Sequence, residues 1–285
     1  TRSAEHLQLW MDEAALVRDD SPAYYLVRHG FNTRDEFKHR LGLLATVRLE
    51  EYGKGNVIPH EYTRRGPKAD RMALMEKCHA NISHIMLLYR DSRNTILQML
   101  SSATTKTLVF NFRDADNQTF EVWRIADDLQ IKVISDMLAE KSLYIADGHH
   151  RYETSLAYRN RYTPSSNSKN HAYNFVLSYL VEFDDPGLIV SPYHRAIRNS
   201  DLESTQRLNH VLRQRFIETP LQWEIGSPIE SLLKELGDKK TGTRSFGMVS
   251  AENYTASMLT LREEYFSDIQ GSIAQFEAWI LEEML

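Results

Sequence analysis

The densest group of chemically capable side chains in the sequence is Asp147-Gly148-His149-His150-Arg151, which follows the apolar run Leu143 to Ala146. Gly148 permits a tight turn that a Cβ would hinder, and the residues after it read as a helix to about Tyr162. The first N–H groups of a helix have no internal partner and sit at the positive end of its dipole. That is where anions bind most readily. Arg151 adds a planar cation suited to phosphate oxygens. Gly148, His149, His150 and Arg151 are therefore the expected phosphate-binding residues, and Asp147 is a candidate base. A plainer account is a capped helix, with Asp147 as N-cap and two inert histidines. Three cationic or donor side chains crowded at a positive helix end repel one another unless an anion joins them, which favours the first account.

Two further clusters accompany it. His60 and Glu61 are candidates for acid–base work. Lys68, Asp70 and Arg71 follow at the start of a helix, with Lys68 and Arg71 three apart and able to reach one anion. With His194 and Arg195 after a strand end, they are the candidate substrate-binding residues. The His60 segment lacks the second histidine of a zinc-protease helix.

These residues need elements to hold them. The periodicities predict helices over Leu7–Val17, Lys68–Ala80, Asn94–Leu100, Asp128–Leu138, Gly148–Tyr162, Leu202–Phe216, Ile229–Leu236 and Ile269–Leu285. Strands are expected at Ala23–Val27 and Leu41–Leu49, which would pair, and at Ile85–Tyr89, Leu143–Ala146, Phe175–Phe183, Leu188–Ser191 and Leu221–Ile225. Hairpins are expected around Asp114-Ala115-Asp116-Asn117 and between Phe246–Ser250 and Met258–Leu261, with loops at Tyr52–Pro67 and Thr163–Asn170. Within the Gly148 helix, fourfold spacing places Tyr152 and Leu156 on a buried face, beneath a polar mouth that includes His149. Hairpins and helices interleave without a strict strand–helix–strand repeat, so the fold class is α+β with mixed sheets. Residues 1–198 are read as a core domain carrying the two polar motifs, and 199–285 as a smaller α/β subdomain with a closing helix.

An apolar fraction of 42% and a charged fraction of 26% are ordinary for a globular chain, and 285 residues suffice for a full core. A net charge of −5 argues against a protein that coats nucleic acid. The single cysteine, Cys78, excludes an intramolecular disulfide and a cysteine zinc cage, and fits a cytoplasmic setting. No apolar run spans a bilayer and the first ten residues lack a signal pattern, so no membrane partner is expected. The chain opens and closes inside helical patterns, so further residues are expected on both sides.

Three segments carry a family resemblance: Val57 to Thr63 with Gly66 to Arg71, Ile145 to Tyr158, and Asp185-Pro186-Gly187-Leu188 with Pro192-Tyr193-His194-Arg195. In this order they resemble the bacterial and archaeal family called domain of unknown function 1015, over nearly the whole chain. The strand-Gly-His-Arg-helix unit is also similar to the nucleotide-binding motif of the ParB and sulfiredoxin superfamily, whose members include DNA-segregation CTPases, sulfiredoxin and free-serine kinases. That likeness rests on Gly148, His149, His150 and Arg151, and sulfiredoxin's essential cysteine is replaced by His149. It implies a ParB/sulfiredoxin-like core and a small-molecule phosphate ligand, ATP or another nucleotide with Mg2+. The expected activity is phosphoryl transfer or nucleotide hydrolysis, with Asp147 or Glu61 as base or magnesium ligand. The alternatives are a metal-assisted hydrolase using Asp147, His149, His150 and His60 as ligands, and a nucleotide-sensing module without turnover.

Overall fold

The structure is a computed structural model that describes residues 2–33, 36–60, 66–104, 108–162, 171–189, 194, 196–197, 201–221, 228–237, 244–250 and 255–265. The chain divides into two compact units, Thr1–Val190 and Ser191–Leu285.

In the first unit the elements are α1 (Arg2–Asp12), β1 (Tyr24–Asn32), β2 (Phe37–Arg48), β3 (Val57–Ile58), α2 (Gly66–Cys78), β4 (Ile85–Tyr89), α3 (Thr95–Ala103), β5 (Phe110–Arg113), β6 (Thr119–Ile125), α4 (Asp128–Ala139), β7 (Leu143–Asp147), α5 (His149–Tyr162) and β8 (Phe175–Glu182). The strands form one mixed sheet in the order β3-β7-β4-β8-β2-β1-β6-β5. β3 runs parallel to β7 and β4 parallel to β8, while the other neighbours are antiparallel. The fold is thus mixed α+β.

Alternation along the strands builds the core. Leu26, Leu43, Leu180, Leu87 and Ile145 point to one face from five successive strands. Ile96 and Leu100 of α3, Ile134 of α4, and Tyr152 and Leu156 of α5 close over them. On the other face Leu88, Tyr179 and Val181 form a second buried group. Helix starts follow from their caps. Asp127 accepts the Gln130 N–H at 2.8 Å and begins α4.

The second unit contains α6 (Leu202–Arg215), β9 (Phe216–Leu221), α7 (Pro228–Gly237), β10 (Ser245–Ser250) and β11 (Thr255–Leu261), with the three strands in the order β10-β11-β9. Phe216, Leu259, Leu261 and Leu212 are its buried centre.

Several expectations need correction. Leu188 and Ile189 are not in a strand. The Asp185 carboxylate accepts the N–H groups of Leu41 and Gly187, and Leu188 N–H returns to Asp185 O, so this stretch closes as a turn. Residues 52–67 are not wholly a loop, because they contain β3. The strand expected at Leu221–Ile225 begins earlier, at Phe216, where extended backbone pairs with Leu261 directly after α6. Helix α1 stops at Asp12, and Ala14 adopts a left-handed conformation (φ 56°) that turns the chain away. Residues 163–170, 190–191, 222–225 and 269–285, on which other expectations fall, lie outside the described residues. Among the described residues, no helix is long and apolar enough to cross a membrane.

Candidate functional site

The site forms where β3 and β7, parallel neighbours, both end. β7 leaves the sheet at Asp147, and α5 starts two residues later. The link is Gly148, with φ +94°. A Cβ there would lie 2.9 Å from Ile85 Cγ2 and 3.0 Å from Arg151 Nε and Nη2. Both the backbone angle and the crowding therefore require glycine.

β3 delivers His60 to the same edge. Glu50 anchors the preceding loop by accepting the N–H groups of Asn56 and Val57 at 2.7 and 3.3 Å. Two residues after β3, the backbone N–H of His60 donates to His149 Nε2 at 3.2 Å. His60 Nδ1 lies 2.6 Å from Ile145 O. The two imidazoles meet edge to face, with centroids 4.4 Å apart and planes at 86°.

This geometry assigns the tautomers. A carbonyl only accepts, so His60 Nδ1 carries its proton and Nε2 is the basic nitrogen. His149 Nε2 accepts an N–H, so its proton sits on Nδ1. His149 is 1% exposed. Burial first, then the charges of His60 and His150, depress its pKa to about 3, so it is neutral at any ordinary pH. His149 therefore lies inside the fold rather than at the polar mouth expected for it, and its contact with the site runs through His60. Desolvation, rather than the helix dipole, is the main reason it resists protonation.

Arg151 is half-buried and already engaged. Its Nη2 lies 2.5 Å from Asp147 Oδ2, and its Nη1 donates to Ser83 Oγ at 3.2 Å and to the His84 carbonyl. Asp147 is itself exposed, at 72% of its side chain. His84, directly before β4, has its pKa lowered by desolvation first and then by the Arg151 charge, against an opposing pull from Asp147. His150 is partly buried, and its Nδ1 makes no hydrogen bond among the described residues. Its carbonyl accepts from Thr154, and that of Arg151 from Ser155, as their fourfold spacing implies.

The rear of α5 is fixed to the sheet. Tyr152 is fully buried, and its hydroxyl accepts Glu50 N–H at 2.9 Å and donates to Glu50 O at 2.8 Å. Burial chiefly pushes that hydroxyl up to about 12. Arg159 reaches the Leu49 carbonyl and Glu51. Arg161 pairs with Glu76 of α2 at 2.5 Å.

The structure thus brings together His60, Asp147, Gly148, His149 and Arg151, with His150 next in the chain. Asp70 and Arg71 are exposed on α2. Lys68 lies in the first turn of α2. Glu61 and Arg195 lie outside the described residues, and His194, exposed, belongs to the second unit. Sequence reasoning missed Ser83, His84, Glu50 and the Ile145 carbonyl. Ser83 and His84 directly precede a recognisable strand, but only the antiparallel pairing of β4 with β7 makes them neighbours of Arg151. Among the described residues no group of three His, Cys, Asp or Glu side chains is placed to hold a metal ion.

Compared with known proteins, the chain matches one family model, described as "Protein of unknown function (DUF1015)", over residues 1–277. No curated protein and no solved structure matches it. A match that spans the strand–Gly148–helix turn, the His60 segment and nearly all the rest settles the affiliation: the chain belongs to the DUF1015 family.

Proposed function

We propose that this protein binds a nucleotide through its phosphates at the start of α5 and transfers or hydrolyses the terminal phosphoryl group. The observation that carries the reading is the bond from His60 Nδ1 to Ile145 O, which leaves Nε2 basic at the edge where α5 begins. His60 Nε2 takes the proton of the attacking hydroxyl or water as its oxygen bonds to phosphorus and the phosphoryl group leaves the nucleotide. The N–H groups at the start of α5, with the Arg151 guanidinium, balance the charge on the phosphoryl oxygens. Neutral His149 holds the His60 backbone in place. Asp147 is the carboxylate available for Mg2+, which would supply charge neutralisation across the phosphates. The ParB/sulfiredoxin-like core implied by the motif belongs to this reading.

One observation favours a second reading, a nucleotide sensor without turnover. Arg151 rests on Asp147, so an arriving anion competes with that carboxylate for the guanidinium, and the exchange can itself be the signal.

Calorimetry with ATP, CTP and GTP in the presence of Mg2+ tests the binding. Arg151→Ala is expected to cost about 1.5–3 kcal/mol of affinity, the range for a hydrogen bond to a charged group. His60→Ala is expected to keep binding and lose phosphate release. Absence of binding by all three nucleotides defeats both readings, and binding without phosphate release leaves the sensor.

A further inference from the structure

The two outer strands of the large sheet are unlike. β3 has two residues, one of them buried, and Pro59 follows it. β5 has four residues, Phe110-Asn111-Phe112-Arg113, all exposed. It pairs with β6 on one side, and among the described residues no strand covers its other side. Phe110 and Phe112 are 50% and 49% exposed. Their rings lie 6.1 Å apart, and the series continues inward from Phe112 to Phe120 at 4.7 Å, from Phe120 to His29 at 4.5 Å and from His29 to Phe31 at 5.1 Å. An aromatic layer therefore crosses β5, β6 and β1 and stops at an open strand. Outer strands of this kind are normally blunted by proline, lysine or an inward charge. β5 has none of these, and its one charge, Arg113, stands at its end.

We propose that β5 pairs with β5 of a second copy of this chain, antiparallel, about a two-fold axis at Asn111. Backbone direction and side-chain pairing together select this register. Asp114 N–H donates to Gln118 O, and Phe112 and Phe110 stand opposite Phe120 and Val122. Hydrogen-bonded pairs alternate along an antiparallel ladder, so Phe110 and Phe112 direct their backbone groups at β6, and Asn111 and Arg113 direct theirs outward. An axis opposite Phe112 would also pair outward residues, Asn111 with the partner's Arg113, but it would set Phe110 against the partner's Asp114; an axis at an outward residue lets that residue exchange both bonds with its own copy. At Arg113 it would oppose two guanidinium groups. At Asn111 it sets Phe110 against the partner's Phe112, and Phe112 against the partner's Phe110. Those are non-hydrogen-bonded positions, where facing side chains come closest. The pattern is self-complementary, as a closed two-fold contact requires, and it joins the two aromatic layers into one.

Sedimentation of the full chain tests this over a dilution series up to about 100 µM, where a micromolar association is nearly complete. The mass is expected to rise from 33.1 kDa towards twice that value. Phe112→Lys and Asn111→Pro are each expected to weaken the dimer at least about tenfold, the proline by removing an outward N–H that β6 does not use. Circular dichroism and the melting temperature check that both variants fold. In a Cys78→Ser background, Asn111→Cys is expected to give a disulfide-linked dimer on mild oxidation, because facing Cα atoms of a hydrogen-bonded pair lie about 5.5 Å apart. Arg113→Cys is expected not to cross-link. A parent that stays at 33.1 kDa throughout overturns the proposal, including the case where the strand instead accepts an extended peptide of another protein. A dimer indifferent to Phe112→Lys, or one whose Asn111→Cys form does not cross-link, overturns it equally.

Discussion

The large sheet ends in two polar regions built on opposite principles. At one edge, where β3 and β7 finish and β4 begins, the buried ionisable group is a histidine kept neutral, His149, beside a pair formed by exposed Asp147 and half-buried Arg151. At the other edge, where β4 and β8 finish and β7 begins, the buried groups are carboxylates: Asp91, Glu182 and Asp185, at 4%, 0% and 5% exposure. Each of these has a backbone task. Glu182 accepts the N–H groups of Asp91 and Asp184. Asp185 accepts those of Leu41 and Gly187. Asp91 accepts that of Ile96 and pairs with Lys141 at 3.3 Å. Burial alone would raise the Asp91 pKa, but the Ile96 N–H and the Lys141 ammonium bring it below the ordinary value. Burial is not outweighed at Asp185, whose pKa is raised, and it pushes the neighbouring Tyr89 hydroxyl up further. The difference separates two uses of buried charge. The carboxylates tie turns to strand ends, and their oxygens are committed to that work. The histidine edge spends its bonds on fixing a tautomer and leaves the Asp147 carboxylate at the surface.

The comparison breaks most readily at Glu182. Glu182→Ala leaves two backbone N–H groups without their acceptor in a fully buried position, and is expected to cost about 3 kcal/mol of stability. Urea unfolding followed by circular dichroism measures it, and a loss below about 1 kcal/mol would mean the carboxylate is not holding the turns.

His149 sharpens the contrast through pH. An unfolded histidine takes up its proton near about 6.5, and buried His149 only near about 3. Between those values the unfolded chain binds the extra proton. The contribution is therefore complete above about pH 6.5 and is lost as pH falls, by about 2 kcal/mol at pH 5. His149→Gln keeps an acceptor for the His60 N–H but has nothing to titrate. The stability gap between parent and variant should narrow by that amount from pH 7 to pH 5, and parallel curves would show that the fold does not resist protonation of His149.

Gly148→Ala is expected to cost about 1–2 kcal/mol, the scale of a strained non-glycine backbone at positive φ. Because the added Cβ also presses on Arg151, nucleotide affinity should fall with it. A variant as stable as the parent would mean that the turn relaxes freely.

Asp147→Asn gives the smallest change in stability, within about 0.5 kcal/mol, since an ion pair whose carboxylate is exposed to solvent contributes little. The same change frees Arg151, so affinity for inorganic phosphate, read by calorimetry, should rise. Unchanged phosphate affinity would remove Arg151 from the site while leaving its structural contacts intact.

The residues that carry local signals were legible from their order in the chain. The strand–Gly148–helix turn, the helix that begins at Asp128 and the hairpin around Asp114 to Asn117 depend on neighbours within a few positions, and each appears where the pattern puts it. The buried face of α5 at Tyr152 and Leu156 follows from fourfold spacing in the same way. The failures lie where a distant partner decides. Leu188 has the apolar character of a strand residue, but Asp185, reaching Leu41 across the fold, makes a turn there.

For the site, the sequence by itself determined which residues stand at the start of α5, because turn and helix formation are decided by adjacent side chains and by the single freedom that glycine has at positive φ. Only the tertiary structure decided what those residues do. A strand records its own period of two but not its neighbours, and this sheet pairs β7 with β3 and β4, which lie far away in sequence. That pairing sets His60 on the Ile145 carbonyl, encloses His149, and ties Arg151 to Ser83 and His84. Burial and tautomer are properties of an environment, and the environment of His149 is assembled from three strands that no local pattern connects.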